Sequence, residues 1–167
     1  MQIDFLADHP HFIDSLAPAI LDHWRFALPE DTLEKRKERL RRHLNRKALP
    51  IAWVAHQGGV AYGMIALRTH DLECRTDLTP WLGGVFVLPA FRRTGIGSAL
   101  CMTVERHAAK EGIRKLFLFT LDKAALYERM GWEKMDGGTW RGFSGVIMAK
   151  EHLADADTNQ ETLLGRR

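Results

Sequence analysis

Only two cysteines, Cys74 and Cys101, occur among the 167 residues, and they form no Cys-x-x-Cys pair. That leaves neither a disulfide framework nor a thiolate zinc site, and a reducing compartment is the default for such a chain. The eight histidines show no His-Glu-x-x-His or other short metal-ligand spacing, so no metal is expected. No apolar run approaches the roughly 20 residues that a membrane helix requires. The start, Met1-Gln2-Ile3-Asp4, lacks the basic and then apolar stretch of a secretory signal. Internal repeats and low-complexity segments are also missing. These absences point to a cytoplasmic protein without a membrane partner.

A hydrophobic fraction of 46% is enough to offset the entropy of ordering a chain of this length. The expectation is one domain over residues 1–150 and a polar, flexible tail over 151–167. The net charge of +3 is mild but uneven, because Asp31–Lys47 holds eight basic residues against three acidic ones. Such a run fits a solvated helix face, an acidic acceptor or a nucleic-acid contact. Its charges do not alternate with aromatics, and no nucleic-acid-binding motif accompanies it.

Hydrophobic spacing predicts a strand over Gln2–Leu6 and a helix over His11–Phe26. A second helix is expected from Asp31 to about Arg46, opened by an Asp31/Glu34 capping box. Ile51–His56 and Val60–Leu67 flank Gln57-Gly58-Gly59 as a hairpin. His70–Thr79 reads as a loop and Trp81–Val87 as a strand carrying Gly83-Gly84. A helix over Ser98–Glu111 ends at Gly112. Lys115–Leu121 is an apolar strand, Lys123–Met130 a short helix, and a last hairpin turns at Asp136-Gly137-Gly138. The sum is an α/β domain with a mixed sheet of about seven strands and about four helices.

The sharpest motif is Val87-x-Pro89-x-x-Arg92-x-x-Gly95-x-Gly97-x-x-Leu100, a strand passing through a glycine loop into a helix. Two glycines there allow backbone N–H groups to converge on an anion, and the helix start adds unpaired donors and a favourable dipole. Arg92 and Arg93 bring positive charge to the same place. A dinucleotide fingerprint would need a third glycine where Leu100 stands, and a P-loop would need Gly-Lys-Ser/Thr. A plain strand-to-helix turn with solvent-facing arginines is the other reading of a lone Gly-x-Gly.

This motif resembles the acyl-CoA-binding segment of the GNAT superfamily of N-acetyltransferases. Tyr127-Glu128-Arg129-Met130-Gly131-Trp132 is similar to that family's Tyr-x-x-x-Gly-Phe run, with tryptophan for phenylalanine. The element order agrees as well, so the resemblance covers about residues 2–150. It implies a mostly antiparallel sheet with a central splay that takes the pantetheine arm, and acetyl-CoA as the acyl donor. It also implies an amine acceptor and a homodimer as the assembly.

By that resemblance, Arg92, Arg93, Thr94, Gly95, Ile96, Gly97 and Ser98 hold the pyrophosphate. Backbone groups of Val85, Phe86 and Val87 pair with pantetheine, and an N–H near Val85 or Phe86 faces the thioester oxygen. Gly83-Gly84 suits the bulge that opens the gap, or else merely clears room for a tryptophan. Tyr127 assists the departing thiolate; a helix tyrosine packed against the sheet is the competing reading. Some relatives carry a Glu in the strand before the glycine loop, but Trp81–Val87 has no acidic residue. The candidate base is Asp71, with His70 beside the acceptor; a solvated polar loop is the competing reading of both. Many relatives have an Asn after the next strand, whereas Thr120-Leu121-Asp122-Lys123 stands here, which leaves Thr120 or Lys123 to take over its cofactor contact, Lys123 toward the phosphates. Trp24 is expected to line the acceptor site. The implied activity is acetyl transfer from acetyl-CoA to a primary amine of a small molecule or peptide. A non-catalytic acyl-CoA sensor and a nucleic-acid-associated protein are the rivals.

Overall fold

A computed structural model of the chain describes residues 1–152. Seven strands form one sheet in the order β1-β2-β3-β4-β5-β7-β6. The chain runs β1 (Gln2–Phe5), α1 (Ile13–His23), α2 (Leu33–Arg41), β2 (Ile51–Gln57), β3 (Val60–Arg68) and β4 (Trp81–Val87). It continues through α3 (Ile96–Lys110), β5 (Lys115–Thr120), α4 (Ala124–Arg129), β6 (Glu133–Trp140) and β7 (Phe143–Glu151). All neighbouring strands are antiparallel except β4 and β5. Glu151 thus belongs to β7, and the remainder of the expected tail, 153–167, lies outside the described residues.

Each face of the sheet buries its own cluster. One face packs Trp53, Ile65, Leu67 and Leu82 against Leu100 and Val104 of α3 and Tyr127 of α4. The other packs Val54, Met64, Ala66 and Phe86 against Leu16 and Ile20 of α1 and Leu40 of α2. Trp81, Phe117, Ile147 and Leu72 form a third cluster. Ala66 pairs with Gly83 and Arg68 with Trp81, and paired residues share a face, so Trp81 and Gly83 lie on the α1–α2 side.

Several boundaries differ from the sequence expectation for identifiable reasons. The helix expected from Asp31 to Arg46 is capped by Thr32, whose Oγ1 accepts from the Lys35 N–H at 3.2 Å. It stops at Arg41, where the Asn45 amide donates to the Arg42 and Pro50 carbonyls, each at 2.8 Å. Asp31 is not the cap because its carboxylate is buried between Arg36, at 2.6 Å, and Arg39, at 3.5 Å. Lys37 pairs with Asp14 of α1, and Arg46 with Asp8. Much of the basic run therefore fastens this helix to its surroundings.

The last hairpin turns at Arg141-Gly142, not at Asp136-Gly137-Gly138. Arg141 and Gly142 have φ of 50° and 83°, the pair of positive values that a tight primed turn requires. Gly138 instead lies in β6, where an added Cβ would come within 3.2 Å of Ile147 and Leu72. Glycine there serves packing rather than turning.

A buried polar chain runs under the α1–α2 face. Arg68 Nε donates to His43 Nε2 at 3.1 Å, and His43 Nδ1 lies 2.8 Å from the Arg39 carbonyl. His43 is therefore neutral, with its proton on Nδ1. Burial first, and then the Arg68 charge, lowers its pKa from 6.5 to about 4. A folded value below the unfolded one means that its stabilising contribution is complete above pH 6.5 and is lost as pH falls toward 4. Denaturant unfolding at stepped pH should show this loss, on the order of 3 kcal/mol at most. In His43→Gln the slope across that window should flatten.

Candidate active site

The site begins with a break in the sheet. β4 and β5 pair at a single position, Trp81 opposite Phe117, and the Phe117 N–H donates to the Pro80 carbonyl at 3.1 Å. Beyond it the strands part. The register between β3 and β4 slips between Met64 and Ala66, opposite Gly84 and Val85, and Gly84 has φ of 59°. This is a β-bulge, which bends the strand that carries it. A side chain at Gly84 would place its Cβ 2.7 Å from Arg68 Nη2.

The Leu88 N–H donates to the Tyr62 carbonyl at 2.8 Å, so the backbone of Leu88 faces β3. Alternation then turns the peptide groups of Val87 and Val85 toward the gap and that of Phe86 toward β3. The Val87 carbonyl accepts from Arg92 Nε at 2.9 Å, consistent with that orientation. Of the three strand residues expected to offer backbone groups, Val85 and Val87 turn theirs toward the gap, whereas Phe86 turns its own toward β3. The Phe86 ring lies 5.7 Å below the Arg92 guanidinium.

At the end of β4 the chain turns through Pro89–Phe91 into α3. Gly95 is the N-cap residue in left-handed conformation, φ 83°, with no side-chain cap. The first intrahelical bond in this stretch is from the Ala99 N–H to the Gly95 carbonyl at 3.0 Å. The helix therefore starts at Ile96 rather than at Ser98, and the N–H groups of Ile96, Gly97 and Ser98 are free of intrahelical partners. Arg93 also has a positive φ, 62°, and Thr94 Oγ1 donates to the Phe91 carbonyl at 2.6 Å. Arg93, Thr94 and Gly95 are exposed, and nothing lies within 4 Å of a Cβ built at Gly95. Amide donors, helix dipole and open space converge here, as an anion requires.

Tyr127 lies on the same sheet face as α3, in the cluster against which Val85 and Val87 pack. It is buried, and its hydroxyl has no hydrogen-bond partner among the described residues. Burial first, then the charges of Cys101 and Asp71, pushes its pKa well above the ordinary tyrosine value. It stays protonated and can donate. Its helix is pinned by Trp132, whose Nε1 donates to Glu105 at 2.9 Å, while Lys150 reaches the other Glu105 oxygen and the Met130 carbonyl, each at 2.7 Å. The tryptophan in place of phenylalanine thus supplies a hydrogen bond that anchors the tyrosine.

Asp71 stands against β4, with Oδ1 2.9 Å from where a Gly83 Cβ would be. The same oxygen accepts from Arg68 Nη1 at 2.9 Å. His70 is exposed, and Lys123 caps α4 with its backbone N–H on Thr120 Oγ1 at 2.9 Å. Lys123 Nζ lies 3.9 Å from Asp122.

The sequence reading missed His23 and the hairpin tip. The His23 ring meets Phe86 edge-on at 5.4 Å and Trp24 at 4.8 Å. Burial first, then Arg92, lowers its pKa, with Asp122 and Asp22 opposing. It therefore feels charges from both sides of the splay. Trp24 packs on Trp140 at 5.2 Å and Phe26 on Phe143 at 5.2 Å, while Arg141 Nε donates to the Ala27 carbonyl at 3.1 Å. The β6–β7 tip so closes an aromatic wall with the end of α1. No local spacing marks these residues; a histidine at a helix end and a tryptophan in a distant hairpin meet only through the fold.

Residues 17–132 match the model of the acetyltransferase (GNAT) family. An aminoglycoside N(6')-acetyltransferase type 1 of Salmonella typhimurium is 35% identical over 68 residues, which is 39% of this chain and 47% of that protein. The chain thus aligns with about half the length of the curated relative. The crystal structure of aminoglycoside 6'-acetyltransferase type Ii superposes with a TM-score of 0.69 at 21% identity, over 90% of this chain and 97% of the other. PaiA N-acetyltransferase from Thermoplasma acidophilum, solved with coenzyme A, gives 0.68 at 20%, over 91% and 100%. At such identities these likenesses establish a common fold.

Gly84→Ala should lower unfolding stability by about 1–2 kcal/mol, because it adds left-handed strain and a clash with Arg68. Denaturant titration of the two proteins measures the difference.

Proposed function

This chain belongs to the GNAT acetyltransferase family, and from that premise we propose that it acetylates a primary amine of a small molecule or peptide with acetyl-CoA, in the cytoplasm. The observation that carries the reading is the splay of β4 from β5, which opens in front of the uncapped helix start at Gly95–Ser98. The pyrophosphate is held by the N–H groups of Ile96, Gly97 and Ser98 with Arg93 and Thr94, and Lys123 approaches the phosphates. Pantetheine amides pair with Val85 and Val87, and the amide donor for Val87 replaces Arg92 Nε, which frees that guanidinium for phosphate. The Val85 N–H polarises the thioester carbonyl.

The amine nitrogen attacks the carbonyl carbon directly, and the carbon–sulfur bond breaks toward sulfur. Tyr127 donates a hydrogen bond to the departing thiolate. Positioning supplies much of the acceleration, since both reactants are held before they meet. The acceptor lies against Trp24 and Trp140, with Asp71 holding its ammonium form near Gly83. The amine must lose a proton to attack, and His23 takes it, being kept in its neutral form by burial and the Arg92 charge. A homodimer belongs to the same proposal; β6, at the edge of the sheet, has no strand on its outer side among the described residues.

Free-thiol release from acetyl-CoA over a panel of amines tests the activity. Tyr127→Phe should lower kcat by at least about tenfold while acetyl-CoA binding changes little. Thermal stabilisation by CoA without thiol release from any amine would instead identify a binding module. Because the pKa of His23 is lowered from 6.5, kcat/KM should rise through an acid limb below pH 6.5 and level off above it. In His23→Gln that limb should disappear and the plateau should fall.

A further inference from the structure

At the β1 edge of the sheet, three side chains from separate elements turn their ligand atoms toward one point. Asp4 lies on β1, His9 between the 3-10 turns Leu6–Asp8 and Pro10–Phe12, and His56 on β2. Gln2 pairs with His56 and Asp4 with Val54, so Asp4 and His56 are diagonal neighbours on the α1–α2 face. Asp4 Oδ2 lies 2.8 Å from His56 Nε2 and 3.3 Å from His9 Nε2, and the three ligand atoms fall within 4.8 Å of one another.

We propose that Asp4, His9 and His56 form a binding site for one divalent transition-metal ion, zinc in the first instance, that is separate from the acyl-transfer site. Metal–ligand bonds of 2.0–2.1 Å in a tetrahedron set donor atoms about 3.3 Å apart, against 2.8 and 3.3 Å from the carboxylate oxygen to the two imidazole nitrogens and at most 4.8 Å between any two of the three. Two imidazoles and one carboxylate are a ligand set that zinc accepts, leaving a fourth position for water. Asp4 and His9 are partly exposed, which gives the ion a path in, whereas His56 is buried.

The ligands are held in place beforehand. The His9 N–H donates to the Leu6 carbonyl at 2.9 Å, and its own carbonyl accepts from the Phe12 N–H at 3.1 Å. The buried Phe12 ring backs both imidazoles, at 5.7 Å from His9 and 5.2 Å from His56. The two imidazole centroids are 4.4 Å apart, so one ion can reach a nitrogen of each ring. On binding, His56 presents Nε2 as a lone-pair donor with its proton on Nδ1, and the ion takes the place of the direct contact between Nε2 and Asp4. Its consequence is mechanical: the turn before α1 becomes fastened to β1 and β2.

The test uses the full chain stripped with chelator, in a Cys74→Ser background because that exposed thiol is a competing zinc ligand. Calorimetric titration with zinc chloride should saturate at one equivalent with a Kd below about 10 µM, and thermal unfolding should shift upward by several degrees. Asp4→Asn, which conserves shape, and His9→Ala, at a partly exposed position, should each weaken binding at least tenfold and abolish the shift. Cobalt in place of zinc should give the visible absorption of a four-coordinate site, lost in the same variants. No saturable binding, or binding unchanged in both variants, overturns the proposal.

Discussion

The site depends on β4 and β5 being neighbours that hardly pair. Parallel strands normally continue their ladder for several residues, yet here pairing is confined to Trp81 opposite Phe117. Gly84, at a φ open chiefly to glycine, bends β4 away, and Arg68 fills the space that a side chain there would take. Peptide groups that a closed sheet would consume are left facing a cleft. Buried backbone groups must find partners, so an opening of this kind invites an extended ligand to complete the pairing. The uncapped start of α3 lies at one end of that opening and Tyr127 beside it.

Charge is distributed to keep the two sides of the cleft different. On the α3–α4 side, Glu105 joins Trp132 and Lys150, and the Cys101 thiol is pushed up to about 12 by burial and by Glu105, so it takes no part as a nucleophile. On the α1–α2 side, Arg68 links Asp71 to His43, and Arg36 and Arg39 hold Asp31. Leaving the buried Asp31 carboxylate unpaired would cost several kcal/mol. The basic stretch around α2 is thereby tied largely to structural pairing.

Much of the architecture was legible in the residues. The Gly58-Gly59 turn, the apolar run of β5 and the glycines before α3 each carry a local physical signature, and the sheet of seven strands followed from their order. The errors fell where tertiary packing overrode a local rule. Asp136-Gly137-Gly138 has turn composition, but Gly138 is small because Ile147 and Leu72 lie over it. Asp31 and Glu34 have capping-box spacing, but burial of Asp31 against Arg36 gave the cap to Thr32.

The sequence by itself determined that a glycine loop enters a helix after a strand and that a tyrosine follows some thirty residues later, because backbone freedom and dipole are properties of neighbouring residues. It could not determine that Asp71 would be held by Arg68, that His23 would stand over Phe86, or that Trp24 would meet Trp140. Nor could it bring His9 to Asp4 and His56. Those encounters join residues far apart in the chain, and only the register of the sheet and the docking of helices and hairpin on its faces set the distances between them.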